Sequence, residues 1–315
     1  MRVSSNMMPY NFLVSLHKSL GLQNKLNEQL SDGKAIHRPS DDPVKTIRSL
    51  RFSINLTEND QYTQNVKDAT SWMETTDGSM SDLSSLMIQA KGLAVSADAA
   101  ESTDGYKAMA AELDNLINHA VTIGNAQIGD RYIFAGQNDK VLPFERKTIN
   151  GKDVVVYTGD NNKISMPIKP GDVTPSQDSV NLSGEQVFGP ATDLVSGGVT
   201  YKTMDVFTHL IALKEELEKN PPDRAVIDTA LDNFDKDHSR ILCAQTELGA
   251  RMSSYELATN LLDKNNEIIT KNLSLNTDLD VAKAIVDYKS AENVYKASLS
   301  VGSRLMPISL VDFLD

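Results

Sequence analysis

Residues 227–269, IDTALDNFDKDHSRILCAQTELGARMSSYELATNLLDKNNEII, place an apolar side chain at every seventh position: Ile227, Phe234, Ile241, Leu248, Tyr255, Leu262 and Ile269. A strand repeats every two residues, so a seven-residue column held this long predicts one α-helix packed along a seam. The companion column is mixed: Leu231, His238, Gln245, Met252, Thr259, Asn266 and Leu273. A helix through the whole run would be roughly 60–70 Å long at 1.5 Å per residue, far beyond the ordinary globular helix.

A matching pattern lies upstream. Tyr62, Val66, Ala69, Met73, Thr76, Met80, Leu83, Met87, Ala90 and Ala94 alternate spacings of four and three, and only Thr76 is polar. Tyr106, Met109, Leu113, Leu116, Ala120 and Ile123 repeat it. Both runs predict helices with an apolar seam, the first about four heptads long. Between these runs and the carboxyl-terminal one, residues 136–198 hold 8 of the 17 glycines and 5 of the 11 prolines. Short β-type runs at Val154–Tyr157 and Ile164–Ile168, parted by turn residues such as Thr158-Gly159-Asp160-Asn161, predict a small β-rich insert there.

The two ends are amphipathic as well. Leu13, Leu16 and Leu20 sit at helical spacing; Val281, Tyr288, Tyr295 and Gly302 form one carboxyl-terminal column, and Ala284, Ala291, Ser298 and Leu305 a second. Stripes on helices this short need partners, and the expectation is that other copies of the chain complete them rather than the two ends alone. Leu13, Leu16, Leu20, Val281, Tyr288, Tyr295 and Leu305 are therefore the candidate assembly residues. Between the first helix and the long one, Gly33 is placed to end a helix in the left-handed region. The run Pro39-Ser40-Asp41-Asp42-Pro43 starts the next, with Asp capping free N–H groups and a proline that needs no donor. Gly33, Pro39, Asp41, Asp42 and Pro43 thus define an angle-fixing connector.

The chain carries 31 basic and 43 acidic residues, a net charge of −12, which disfavours nucleic acid and anionic membranes as partners. The lone cysteine, Cys243, excludes an internal disulfide and a cysteine zinc cluster. The opening Met1–Asn6 shows no basic stretch followed by an apolar one, which predicts no cleaved signal peptide, and no apolar run is long enough to span a bilayer. His17, His37, His119, His209 and His238 form no metal-binding pair, and His238 on the mixed column reads as a satisfied core residue. Two Ser-x-x-Lys matches lack their companion motifs, and Asp160-Asn161-Asn162 lacks the spacing of a calcium loop. No catalytic, cofactor or metal residues are expected, and the chain reads as a non-enzyme.

Specific strings add to this. Met1–Met8, Leu30–Pro43 and Ala297–Leu314 resemble the two ends of the flagellin family, and Gly129-Asp130-Arg131-Tyr132-Ile133-Phe134-Ala135-Gly136 with Pro143-Phe144 resembles its hook-associated branch. His37 departs from the asparagine usual in that family. The resemblance implies export through the flagellar type III apparatus, an extracellular place at the hook–filament junction, and ring-forming self-assembly. Its implied partners are a neighbouring hook-associated protein, flagellin and an export chaperone, with no nucleic acid, membrane or cofactor.

The expected fold is mainly α: an elongated helical-bundle rod with paired terminal helices and a small β-rich insert. The expected divisions are 1–42 with 276–315 for assembly, 43–130 with 201–275 for the rod, and 131–200 for the insert. The rival readings are filament flagellin, set apart by the Arg131–Gly136 string and the modest insert, and a cytosolic helical scaffold or chaperone, whose terminal helices would fold in the monomer and which would stay inside the cell.

Overall fold

The computed structural model describes residues 7–98, 102–168, 179–219 and 222–305, without the side chains of 7–9, 98, 304 and 305. Its elements are α1 (Met7–Asp32), α2 (Pro43–Asp98), α3 (Thr103–Gly124), β1 (Gln127–Ile128), β2 (Arg131–Tyr132), β3 (Phe144–Ile149), β4 (Lys152–Tyr157), α4 (Gly184–Phe188), β5 (Ala191–Ser196), β6 (Val199–Met204), α5 (Asp205–Leu217), α6 (Arg224–Thr277) and α7 (Val281–Leu305). The mainly helical reading with a small β insert is borne out. The chain divides into two compact units, 1–59 with 264–315, and 60–263.

In the second unit the heptad columns are the core. Val66, Ala69, Met73, Thr76, Met80, Leu83, Met87, Ala90 and Ala94 of α2 are all buried, as are Ile227, Phe234, Ile241, Leu248, Tyr255 and Leu262 of α6. Thr76 is tolerated in that row because its hydroxyl donates to the Trp72 carbonyl, one turn back, at 2.8 Å. His238 is bound as expected, its Nε2 lying 2.9 Å from the Ser84 hydroxyl. A third α6 column went unread in the sequence: Ala230, Asp237 and Ala244 are buried beside the apolar one. Asp237 is fully buried, and its charge is met by His209 Nδ1 at 2.6 Å and the Arg240 guanidinium at 2.9 Å.

The insert is a four-stranded antiparallel sheet of order β3-β4-β6-β5. Two of its hairpins close on two-residue loops, Asn150-Gly151 and Gly197-Gly198, in which every residue has positive φ. That is the type I′ turn, whose twist matches that of the strands. Ile164–Ile168 forms no strand; the segment contributes only an isolated bridge, Ser165 to Ser179, and Pro167 cannot donate to a ladder. β5 and β6 instead come from 191–204.

The sheet is joined to the helices through aromatic rings. Phe144 of β3 stands 4.7 Å from Phe188, 5.0 Å from Tyr157 and 5.1 Å from Phe207, centre to centre. A polar tie lies beside it. Arg146 binds Asp153 and Asp114, donates to Asn118 at 2.7 Å, and shares Asp114 with Lys214, which lies 2.6 Å away. These contacts link β3, β4, α3 and α5. Arg146 first and Lys214 second hold the Asp114 carboxyl at about 2, below its usual range. A depressed carboxylate stabilises the fold above its unfolded value, near 3.9, and loses that contribution as pH falls towards 2. Asp114→Asn should therefore unfold more readily than wild type at neutral pH, with the gap closing near pH 2. Denaturation midpoints at the two pH values check this, and a gap independent of pH contradicts it.

The Arg131–Gly136 string has structural duties. Arg131 lies 5.0 Å over the ring of Trp72 and pairs with Asp139. Ile133 and Phe134 are buried, and Gly136 has φ +72° with the Asp160 backbone oxygen where a Cβ would stand, 2.2 Å away. Only glycine fits that position.

Candidate assembly faces

The connector organises the first unit. α1 stops at Gly33, φ +72°, whose N–H still reaches the Gln29 carbonyl at 3.0 Å. The chain then runs beside the α6–α7 junction: Ala35 N–H donates to Thr277 O and Leu279 N–H to Gly33 O, both at 2.8 Å. His37 Nε2 lies 2.6 Å from the Asp32 carboxylate. Pro39 occupies the turn closed by Asp41 N–H to Arg38 O at 2.9 Å. The Asp41 carboxylate gathers Lys25 Nζ at 2.7 Å and the backbone N–H groups of Arg38 and His37 at 3.1 and 3.3 Å. Those donors, Lys25 foremost, hold its carboxyl at about 2. Asp42 caps α2, accepting from Val44 N–H at 3.1 Å and Lys45 N–H at 3.0 Å, with Pro43 at the first helical position. All five connector residues thus lie between the end of α1 and the first residue of α2.

α1 and α7 pack on each other within the chain. On α7 the inward row is Ala284, Tyr288, Ala291, Tyr295, Ser298 and Gly302; on α1 it is Phe12, Leu16, Ser19, Gln23, Leu26 and Leu30. Gly302 is needed for the close approach: a Cβ there would stand 2.3 Å from the Phe12 ring. This changes the expectation that other copies complete these stripes. Leu16, Tyr288 and Tyr295 are half-buried in this intramolecular seam, because small residues on α7 let the two backbones close. Leu13, Leu20 and Val281 stay exposed on the flanks. The side chain of Leu305 lies outside the described residues.

Apolar side chains remain outward-facing on α1, α2 and α7. α2 opens with Val44, Ile47, Leu50 and Ile54, all about half exposed or more, on the side opposite its half-buried Ser49, Phe52 and Leu56. α7 adds Ile285, Val294, Leu299 and Val301, and α1 adds Tyr10 and Val14. The α2 row was missed in the sequence, although its three-and-four spacing is legible there. Among the described residues no group of three or more His, Cys, Asp or Glu could hold a metal ion, and no helix is long and apolar enough to cross a membrane.

Residues 3–139 match the model of the bacterial flagellin N-terminal helical region. Over nearly its whole length the chain resembles flagellar hook-associated protein 3, as its Arg131–Gly136 string led one to expect. It is 24% identical to the Salmonella typhimurium protein of that name over 98% of both chains, and 24% identical to that of Escherichia coli over 98% of both. The crystal structure of flagellar hook-associated protein 3 from Legionella pneumophila shares its fold, with a TM-score of 0.60 at 15% identity over 71% of this chain and 97% of that one.

Proposed function

We propose that the chain is a structural, non-catalytic subunit of the bacterial flagellum that forms the junction ring between hook and filament. The observation that carries this reading is the set of apolar rows left in water on α1, α7 and the start of α2. Exposed rows of this extent are unfavourable in a lone soluble chain and become favourable when neighbouring subunits cover them. Leu13, Leu20 and Val281 join Ile47, Leu50 and Ile54 as the residues assigned to subunit contacts, while Leu16, Tyr288 and Tyr295 hold the terminal pair together. The assembly region is then 1–42 with 276–315, extended into the first turns of α2. Its partners are other copies, a neighbouring hook-associated protein and flagellin, reached after export with the help of a flagellar chaperone.

A bacterium lacking this chain tests the reading. It should build hooks, lose its filaments and swimming, and release unpolymerised flagellin into the medium. Normal swimming would sink the proposal. Loss of filaments with no flagellin in the medium would favour a filament subunit instead.

A further inference from the structure

Two grooves of similar size carry opposite charge and lie in different units. In the first unit, Arg48, Arg51 and Phe52 of α2 and Asn272 and Leu275 of α6 line a groove of ≈560 Å³. In the second unit, Thr70 and Glu74 of α2 and Met252, Ser253 and Glu256 of α6 line one of ≈510 Å³. Arg48, Arg51, Glu74 and Glu256 are all exposed, and none makes an ion pair among the described residues. Each groove is lined by an apolar side chain as well: Leu275, at 76% the most exposed large apolar residue described, in the basic one, and the half-buried Met252 in the acidic one. The same contrast runs through the whole chain. The first unit holds 14 lysines and arginines against 12 aspartates and glutamates, the second 17 against 31.

We infer that the basic groove of one copy docks on the acidic groove of the next. The inference rests on the assembly reading above and names a contact within it. Two like-charged surfaces repel, so neither groove can pair with its own counterpart across a two-fold axis. A contact between two different faces is heterologous, and such contacts repeated around an axis close a ring. Arg48 and Arg51 would meet Glu74 and Glu256, with Leu275 covered beside Met252. A guanidinium suits this role because its fork can bind a carboxylate at two points. Complementary charge also sets the register of neighbouring copies, which an apolar row alone leaves free to slide.

Charge exchange tests this in living cells. Arg48→Glu with Arg51→Glu should abolish swimming and filaments, and so should Glu74→Arg with Glu256→Arg. All four substitutions together should restore both. The purified variants should melt as wild type does, since every altered side chain is exposed. The neutral pair Arg48→Gln with Arg51→Gln, which places no like charge in the contact, should weaken swimming less than the reversed pair. A motile strain carrying either reversed pair overturns the inference. A quadruple variant as immotile as the pairs overturns it too, because the grooves would then face other molecules. The assembly reading is judged separately, by whether the strain without the chain swims.

Discussion

Phe144→Ala should lower the stability of the folded chain by about 3–5 kcal/mol, the cost of emptying a large aromatic site in a core that closes only in part. Phe144 is 1% exposed and its ring meets those of Phe188, Tyr157 and Phe207. Such aromatic pairs contribute beyond the area they bury. Its backbone is also gripped from both sides: its N–H donates to the Asn125 side chain at 3.0 Å, and its carbonyl accepts from Asn125 at 2.9 Å. Gly124 is packed so closely against the ring that a Cβ would stand 2.6 Å away, so removing the ring also strips this contact from the α3 backbone. Ile88→Ala on the outer side of α2 is the control, because Ile88 is already 59% exposed. Chemical denaturation of the purified chain should give a much lower midpoint for Phe144→Ala and little change for Ile88→Ala. Equal midpoints would mean that the ring cluster does not join the sheet to α3 and α5.

The helices were legible because a seam writes itself into the sequence as a fixed period. Ile227 to Leu262 and Val66 to Ala94 needed no knowledge of what they pack against. The Asp42–Pro43 cap was legible for a similar reason, since capping is settled within one turn. Asp237 was not, because its partner His209 lies 28 residues away and only the tertiary fold brings them together. The α1 seam was misjudged by counting leucines. Its inward row includes Ser19 and Gln23, which small residues across the seam make possible, while Leu13 and Leu20 point away. The hairpins were marked by Asn150-Gly151 and Gly197-Gly198, signals as local as any cap, but the alternating run at 164–168 drew the reading to the wrong segment.

Leu50→Asp separates folding from assembly. Leu50 is 61% exposed on α2, in the row with Ile47 and Ile54, so in the isolated chain a carboxylate there stays in water and breaks no packing. If neighbouring subunits cover the α2 row in the assembled junction, the same carboxylate is removed from water there. That penalty is several kcal/mol for each buried ion, and every subunit of a closed ring bears it. One variant should therefore give two sharply different readouts. The purified Leu50→Asp chain should melt within error of wild type, while cells carrying it lose filaments and release flagellin. The count of filaments per cell, taken beside that melting curve, is the most direct measurement. Bare hooks on cells whose variant is fully folded is the predicted result. Normal filaments would contradict the account, since the outward row of α2 would then be no assembly face.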